Sequence, residues 1–450
     1  MFNKPVSDVS VSIGNTFVTW RKQRGWSPLK IVSAKGCYFT DSNGNNYLDF
    51  SSQLMCSNLG HGNEKIIEAI KKQAESLPFI APSFNTDIRE DVTKKLLTVL
   101  PPNLKKFFYG TSGTEANEAA VKISRMVKAK EGKTKIFSFY NSYHGSTLAS
   151  VQLTGDFRRV MVDSYHDAPA FHHLPPPYCY RCPLGLTYPE CGVACAEYAD
   201  YAIKKEGNVA ALILEPVTGT NGVVVPPKEF LPRIREITDD NDVIMIDDEV
   251  MTGFGRTGEW FAVNHSDVKP DILSAAKGIT GAYAPLSLTA VSGEISDYFE
   301  DNYFAHGHTY EAHPLVMSAA SAAIDEYKER NIIEHVRKIS PLFLKRLHEL
   351  KETHISVGDT RGIGLFGAVE IVKNRDTKKP FNTYEDKVSG KPLMVDTVAK
   401  RAMENGVFIS TWVSHFVIAP PLIINEEDLN KGFDVLDRSL ELADKEVRKQ

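Results

Sequence analysis

Four short apolar runs constrain this chain most: KIFSFY (135–140), VAALILEP (209–216), DVIMIDDEV (242–250) and DILSAAK (271–277). Stretches with helical periodicity separate them. A strand that is apolar on both faces must be covered on both, which helices flanking a mainly parallel sheet provide. A fifth run, LKKFFYG (104–110), leads directly into the helical pattern TEANEAAVKISRMVKA (114–129). The expected fold class is therefore α/β, with a large domain over about 61–330. Residues 1–60 read as short strands, with a hairpin around Ser42, Asn43 and Gly44. From 331 to 450 an amphipathic helix (332–352) precedes GIGLFGAVEIV (362–372) and GVFISTWVSHFVIAPPLII (406–424), which suit a smaller mixed sheet. The expected organisation is a large domain plus a small α+β domain made from both chain ends.

The 450 residues, 42% hydrophobic and 24% charged with a net charge of −5, give no basic surface for nucleic acid or an anionic membrane. No apolar run is long enough to cross a bilayer, and no secretory signal is evident, so a cytoplasmic enzyme is expected. Four of the six cysteines form the series Cys179, Cys182, Cys191 and Cys195. Zinc and disulfide readings exist for such a cluster. The close spacing between the pairs, the lack of a completing histidine and a reducing compartment favour free thiols in a structured loop, with no metal.

The chemistry collects at the ends of the apolar runs. Lys277 directly follows ILSAA, a setting that lowers an amine's pKa and suits imine formation. Asp247, Asp248 and Glu249 end the run VIMI. A carboxylate beside such a lysine is what pyridoxal phosphate chemistry requires, because it keeps the pyridine nitrogen protonated. The same three acids could instead hold a hard cation in a metal-dependent hydrolase. Ser112, Gly113 and Thr114 stand between a strand and a helix N-terminus, where a phosphate binds readily, although Ser112 could serve only as an N-cap. Tyr143 could stack on a flat cofactor with His144 beside it.

These motifs together resemble the class III pyridoxal-phosphate aminotransferases of fold type I. The matches run in order through NLGH (58–61), SGTEANE (112–118), YHG (143–145), LEPV (214–217), DDEVMTGFGRTG (247–258), AAKG (275–278), GHTYEAHPL (307–315), RGIGLFGAVE (361–370) and APPL (419–422). The resemblance implies that Lys277 is the Schiff-base lysine, that Asp248 partners the pyridine nitrogen and that Val250 packs on the ring. It implies Tyr143 as the stacking aromatic, Ser112, Gly113 and Thr114 as the phosphate cup, and Glu215 near the cofactor. Thr309 matches the residue donated to a neighbouring phosphate, which implies a homodimer with shared sites. Arg256 and Arg361 also match and read as structural.

Two departures bear on substrate. Val417 stands where glutamate-using members carry an arginine, and Met251 stands where a glutamine is common. Both resemble the ω-amino acid and amine branch. The implied reaction moves an amino group from taurine, β-alanine or GABA, with taurine favoured, to pyruvate or 2-oxoglutarate. An amine-selective transaminase and an aminomutase are the alternatives. Trp20, Trp26, Trp412 and His415 are the candidate substrate contacts by position, and equally candidate core or rim residues.

Overall fold

The apolar runs form the centre of a seven-stranded sheet. A computed structural model describes residues 16–24, 27–162 and 170–449. The strands in chain order are β1 Ile31–Lys35, β2 Tyr38–Asp41, β3 Asn46–Asp49, β4 Leu104–Gly110, β5 Lys135–Phe139, β6 Phe171–Leu174, β7 Val209–Leu214 and β8 Ile244–Asp248. There follow β9 Ile272–Ala275, β10 Ser287–Ser292, β11 Val357–Ile363, β12 Phe366–Asn374, β13 Lys379–Pro380, β14 Val407–Phe408, β15 Ser410–Thr411 and β16 His415–Ile418.

The large sheet has the order β4-β10-β9-β8-β7-β5-β6. Its pairs from β9 through β6 are parallel, while β10 runs antiparallel to both β4 and β9. Every residue of β7, β8 and β9 is buried, as two covered faces require. On one face Ala120, Val121 and Ile123 of helix Gly113–Lys128 share an apolar cluster with Ile213, Ile246 and Ile272. The sequence reading missed two strands. β10 lies in a stretch that looks turn-rich, and β6 carries two histidines, so neither shows the uniform apolar character of the central runs.

The chain ends meet in a second sheet of order β1-β2-β3-β14, where Val407 pairs in parallel with Leu48. The expected hairpin is β2–β3. Its turn is held by the Asp41 carboxylate, which accepts from the backbone N–H groups of Asn43 and Asn45, both at 2.9 Å, while Gly44 takes a φ of +85°. A third sheet runs β11-β12-β16-β15, with β13 beside β12. Among the described residues no helix is long and apolar enough to cross a membrane.

Candidate active site

In a parallel sheet the loops after the strands gather at the carboxyl edge, where α/β proteins bind their ligands. A pocket of about 490 Å³ opens there. Thr111 to Thr114 reach it after β4, Tyr143 to Gly145 after β5, Glu215 after β7, Asp248, Val250 and Met251 at the end of β8, and Ala276 and Lys277 after β9. Five separate strand ends thus bring Ser112, Gly113, Thr114, Tyr143, His144, Glu215, Asp248, Val250 and Lys277 to one cavity.

The Asp248 carboxylate is held from three sides. Oδ2 accepts from Asn117 Nδ2 and pairs with His144 Nδ1, both at 2.7 Å, and Oδ1 accepts from the Val250 N–H at 3.1 Å. Charge-assisted bonds of this kind fix the orientation of a buried carboxylate. Asn117 follows the phosphate-type loop by one helical turn, and sequence reasoning missed it. Its spacing to Gly113 on the helix was the signal present.

Lys277 lies at the start of a single 3-10 turn with a φ of +43°, a left-handed conformation that a non-glycine residue holds only when its surroundings impose it. Burial holds its amine below the ordinary lysine value and Arg158 acts the same way, while Cys56, Asp248 and Glu215 oppose the shift. The result is an amine whose neutral, nucleophilic form is more accessible than on a surface lysine.

The pocket has room and donors for a flat ring bearing a phosphate. The Gly113 and Thr114 N–H groups open helix Gly113–Lys128 and have no acceptor among the described residues. Ser112 caps that helix, its Oγ accepting from the Glu115 N–H at 3.3 Å, so the N-cap role holds for its side chain. A Cβ at Gly113 would stand 2.6 Å from Val250 Cγ1, so this position needs glycine for the loop to pack on Val250.

The acids that end β8 do not form a joint cation site. Glu249 turns away to accept from the Thr252 hydroxyl and, at 2.8 Å, from the Val263 N–H. Neither oxygen of the buried Asp247 has a partner among the described residues. Among those residues no group of three or more His, Cys, Asp or Glu side chains is arranged to hold a metal ion. Cys179, Cys182, Cys191 and Cys195 are free and line one small apolar pocket.

Burial also pushes Glu215 and Glu249 up to about 7, and Asp247 well above the carboxylate range. A carboxyl group raised in the folded state binds more protons there than in the unfolded chain between pH of about 4.5 and 7. Stability therefore falls as pH rises through that window. We expect the cofactor-free protein to lose a few kcal/mol between pH 5 and 8, at about 1.4 kcal/mol per pK unit. Thermal melts should show a visibly smaller loss for Glu249→Gln. An identical pH slope in the variant contradicts the assignment.

Trp20, Trp412 and His415 do not line the pocket. Trp20 meets the Tyr143 ring edge-on at 6.3 Å. Trp412 is buried against a residue that sequence reasoning missed, Arg158. The Arg158 guanidinium lies 4.0 Å from the centre of the Tyr143 ring, 4.6 Å from Trp412 and 5.5 Å from Trp20. Its Nε and Nη2 donate to Asp156, which leaves Nη1 outside that pair. His415 is buried, its Nε2 3.0 Å from the Thr220 carbonyl, and burial lowers it to about 4. Trp26 lies outside the described residues. Val417 is a core residue of β16, 2% exposed.

Thr309 is exposed and outside the pocket of its own chain. Arg256 is fully buried and donates to the carbonyls of Leu365 and Pro420 and to Ser52 and Asn58, tying the chain ends to the central sheet. Arg361 donates to the Gly222 carbonyl at 2.6 Å and pairs with Asp359 and Glu370.

The family model described as Aminotransferase class-III matches residues 21–440. The leucine/methionine racemase of Thermococcus litoralis is 35% identical over 92% of this chain and 91% of its own. The putrescine–pyruvate aminotransferase of Pseudomonas aeruginosa is 35% identical over 89% and 88%. Among solved structures, the taurine:2-oxoglutarate aminotransferase of Bifidobacterium kashiwanohense in complex with pyridoxal phosphate and glutamate superposes with a TM-score of 0.90. It is 37% identical, over 95% of this chain and 96% of that one.

Proposed function

We propose a specific reaction for this chain, which belongs to the class III aminotransferases: transfer of the amino group of a short ω-amino acid, taurine foremost, to a 2-oxo acid. The observation that carries the donor class is Arg158. It places a guanidinium 4.0 Å from the centre of the ring of Tyr143, itself a residue of the pocket wall, in a chain with Val417 where the resemblance to glutamate-using members implies an arginine. A sulfonate or carboxylate two carbons from the reacting amine has a fixed cation there, framed by Trp20 and Trp412. The likeness to a taurine:2-oxoglutarate aminotransferase supports the same reading.

Pyridoxal phosphate, the cofactor of this reading, supplies when bound an aldehyde for the amine and a ring that takes up an electron pair. Gly113 and Thr114 hold the phosphate through their free N–H groups, with the positive end of the helix behind them. Asp248, fixed by Asn117 and His144, holds a proton on the ring nitrogen. Val250 and Tyr143 wall the ring. Lys277 would hold the cofactor through its amine, and that amine, in the neutral form that burial favours, would serve as the base that moves a proton at the donor carbon. Glu215 accepts from the Tyr143 and Gly219 N–H groups at 2.9 and 2.8 Å, which orders the loop that carries Tyr143. The proposal includes a cytoplasmic homodimer in which the exposed Thr309 reaches the phosphate of the neighbouring site, testable by sedimentation of the active protein.

The test is an absorption titration of the pyridoxal-phosphate-loaded protein with taurine, β-alanine and GABA in turn. Conversion to the pyridoxamine form by taurine at the lowest concentration is the expected result. Arg158→Met should raise the concentration needed about 10- to 100-fold, as loss of a charged hydrogen-bond partner does. Equal titrations by the three donors and by an amine without an acid group sink the taurine reading. The racemase relative favours a second reading, isomerisation, which predicts product formation without any added 2-oxo acid.

A further inference from the structure

The pocket wall holds a carboxylate without a cation of its own. Glu215 directly follows β7, and the register that sets Leu214 beside Asp247 sets Glu215 beside Asp248, on the same face of the sheet. Lys277 follows β9, on the other side of β8, so the strands that carry Glu215 and Lys277 lie about 10 Å apart. Both residues line the one cavity, and the Glu215 charge acts on the Lys277 amine across it. One Glu215 oxygen accepts from the Tyr143 N–H and the other from the Gly219 N–H. Each keeps a lone pair for a further donor. Buried carboxylates ordinarily meet a cation. Among the described residues none lies within ion-pair distance of Glu215, and His144, whose charge favours the carboxylate, is bonded to Asp248 instead.

The other titratable groups of the wall are engaged. Asp248 uses one oxygen on Asn117 and His144 and the other on the Val250 N–H. The Cys56 thiol donates to the Ser52 carbonyl at 3.6 Å, and the Tyr283 hydroxyl to the Gly60 carbonyl at 2.9 Å. Burial pushes the Tyr143 phenol up, and Lys277 is occupied by the cofactor in the loaded enzyme. Glu215 is the group left to take a proton. Burial, reinforced by the Asp248 charge, brings it up to about 7, which suits a base that works near neutral pH.

We propose that Glu215 is a catalytic residue, the base that receives the ammonium of the incoming amino donor and takes its proton. An amino donor is a cation at neutral pH and cannot attack until it has given up a proton. One N–H bond of the ammonium breaks and the proton passes to a Glu215 oxygen. The nitrogen keeps the electron pair with which it displaces Lys277, which leaves as a neutral amine, and Glu215 then returns its proton to water. A carboxylate at this place also offsets the hydration that the ammonium loses on entry. The inference rests on the aminotransferase chemistry of the family and is independent of taurine as the donor.

The experiment mixes the pyridoxal-phosphate-loaded enzyme rapidly with ethylamine, a cation near neutral pH, or with methoxyamine, which is neutral there. Absorption follows the displacement of Lys277 by each. Neither probe carries an acid group, so the outcome does not depend on how the donor's distal end is bound. In Glu215→Gln the rate constant for ethylamine falls about 100-fold relative to that for methoxyamine. A fall shared equally by the two amines overturns the role, because a disturbed Tyr143 loop slows both. The wild type gives a second reading that needs no variant. Its ethylamine rate rises through pH of about 7, as Glu215 ionises, and levels off below the pKa of the amine. A rate that climbs in proportion to free amine up to that pKa overturns the proposal. In the cofactor-free protein, the infrared difference between wild type and Glu215→Gln shows a protonated carboxyl band below pH of about 7 that gives way to carboxylate above it. A Glu215 ionised throughout that range also overturns the assignment.

Discussion

Lys277→Ala is expected to abolish turnover, by about 10⁴-fold or more, while the protein still folds and still binds pyridoxal phosphate without a covalent link. Two roles vanish with one amine: attachment of the cofactor, and proton movement at the donor carbon, which as general acid–base catalysis alone contributes about 10²–10⁴ in rate. The fold has little to lose. Burial disfavours the charged amine, so its removal relieves a desolvation cost, and the turn that carries it is fixed by its neighbours. Gly113, Thr114 and Asp248, the other cofactor contacts proposed above, are untouched. Two measurements check this: steady-state turnover, and the intact mass after borohydride reduction, which traps any imine on the chain. The wild type should gain the cofactor's mass and the variant should not. Turnover within tenfold of wild type, or a cofactor adduct on the variant, contradicts the assignment.

What could be read from the sequence follows the range of the forces involved. Continuous burial leaves a local mark, so β5, β7, β8 and β9 are visible as apolar runs, and their carboxyl ends already hold Lys277, Asp248, Tyr143 and Glu215. The cap at Ser112 is equally local, since its bond reaches only to Glu115. Asp156 and Arg158 left no such mark. Arg158 sits in a one-turn helix, and the aromatics that define its place come from Trp20, Tyr143 and Trp412, far apart in the chain. An arginine in that stretch reads as a solvated charge until the fold closes around it. The same holds for Trp412 and His415. Position alone nominated both, equally as substrate contacts and as core or rim residues, and only the fold sets Trp412 against Arg158 and His415 on the Thr220 carbonyl.

Asp248 offers the second large effect, and it can separate charge from hydrogen bonding. Asp248→Asn keeps an oxygen able to accept from Asn117 Nδ2 or His144 Nδ1 but removes the negative charge. If the carboxylate serves to hold a proton on the ring nitrogen, kcat should fall by about 10²–10⁴ in the Asn variant and at least as far in Asp248→Ala. Stability should move differently. Asp247 on β8 and Glu249 just past its end flank Asp248, all three are buried, and the Asp248 charge adds to burial in making both neighbours harder to ionise. Removing the middle charge relieves that repulsion, so the cofactor-free Asn variant should melt no lower than wild type and should titrate Asp247 and Glu249 at lower pH. The Ala variant strands the Asn117 and His144 donors in a buried site, which costs about 1–3 kcal/mol for each unsatisfied group and should lower its melting temperature. Loss of rate in parallel with loss of stability across both variants would make Asp248 a structural residue. Loss of rate in Asp248→Asn with stability preserved ties the carboxylate charge to the reaction itself.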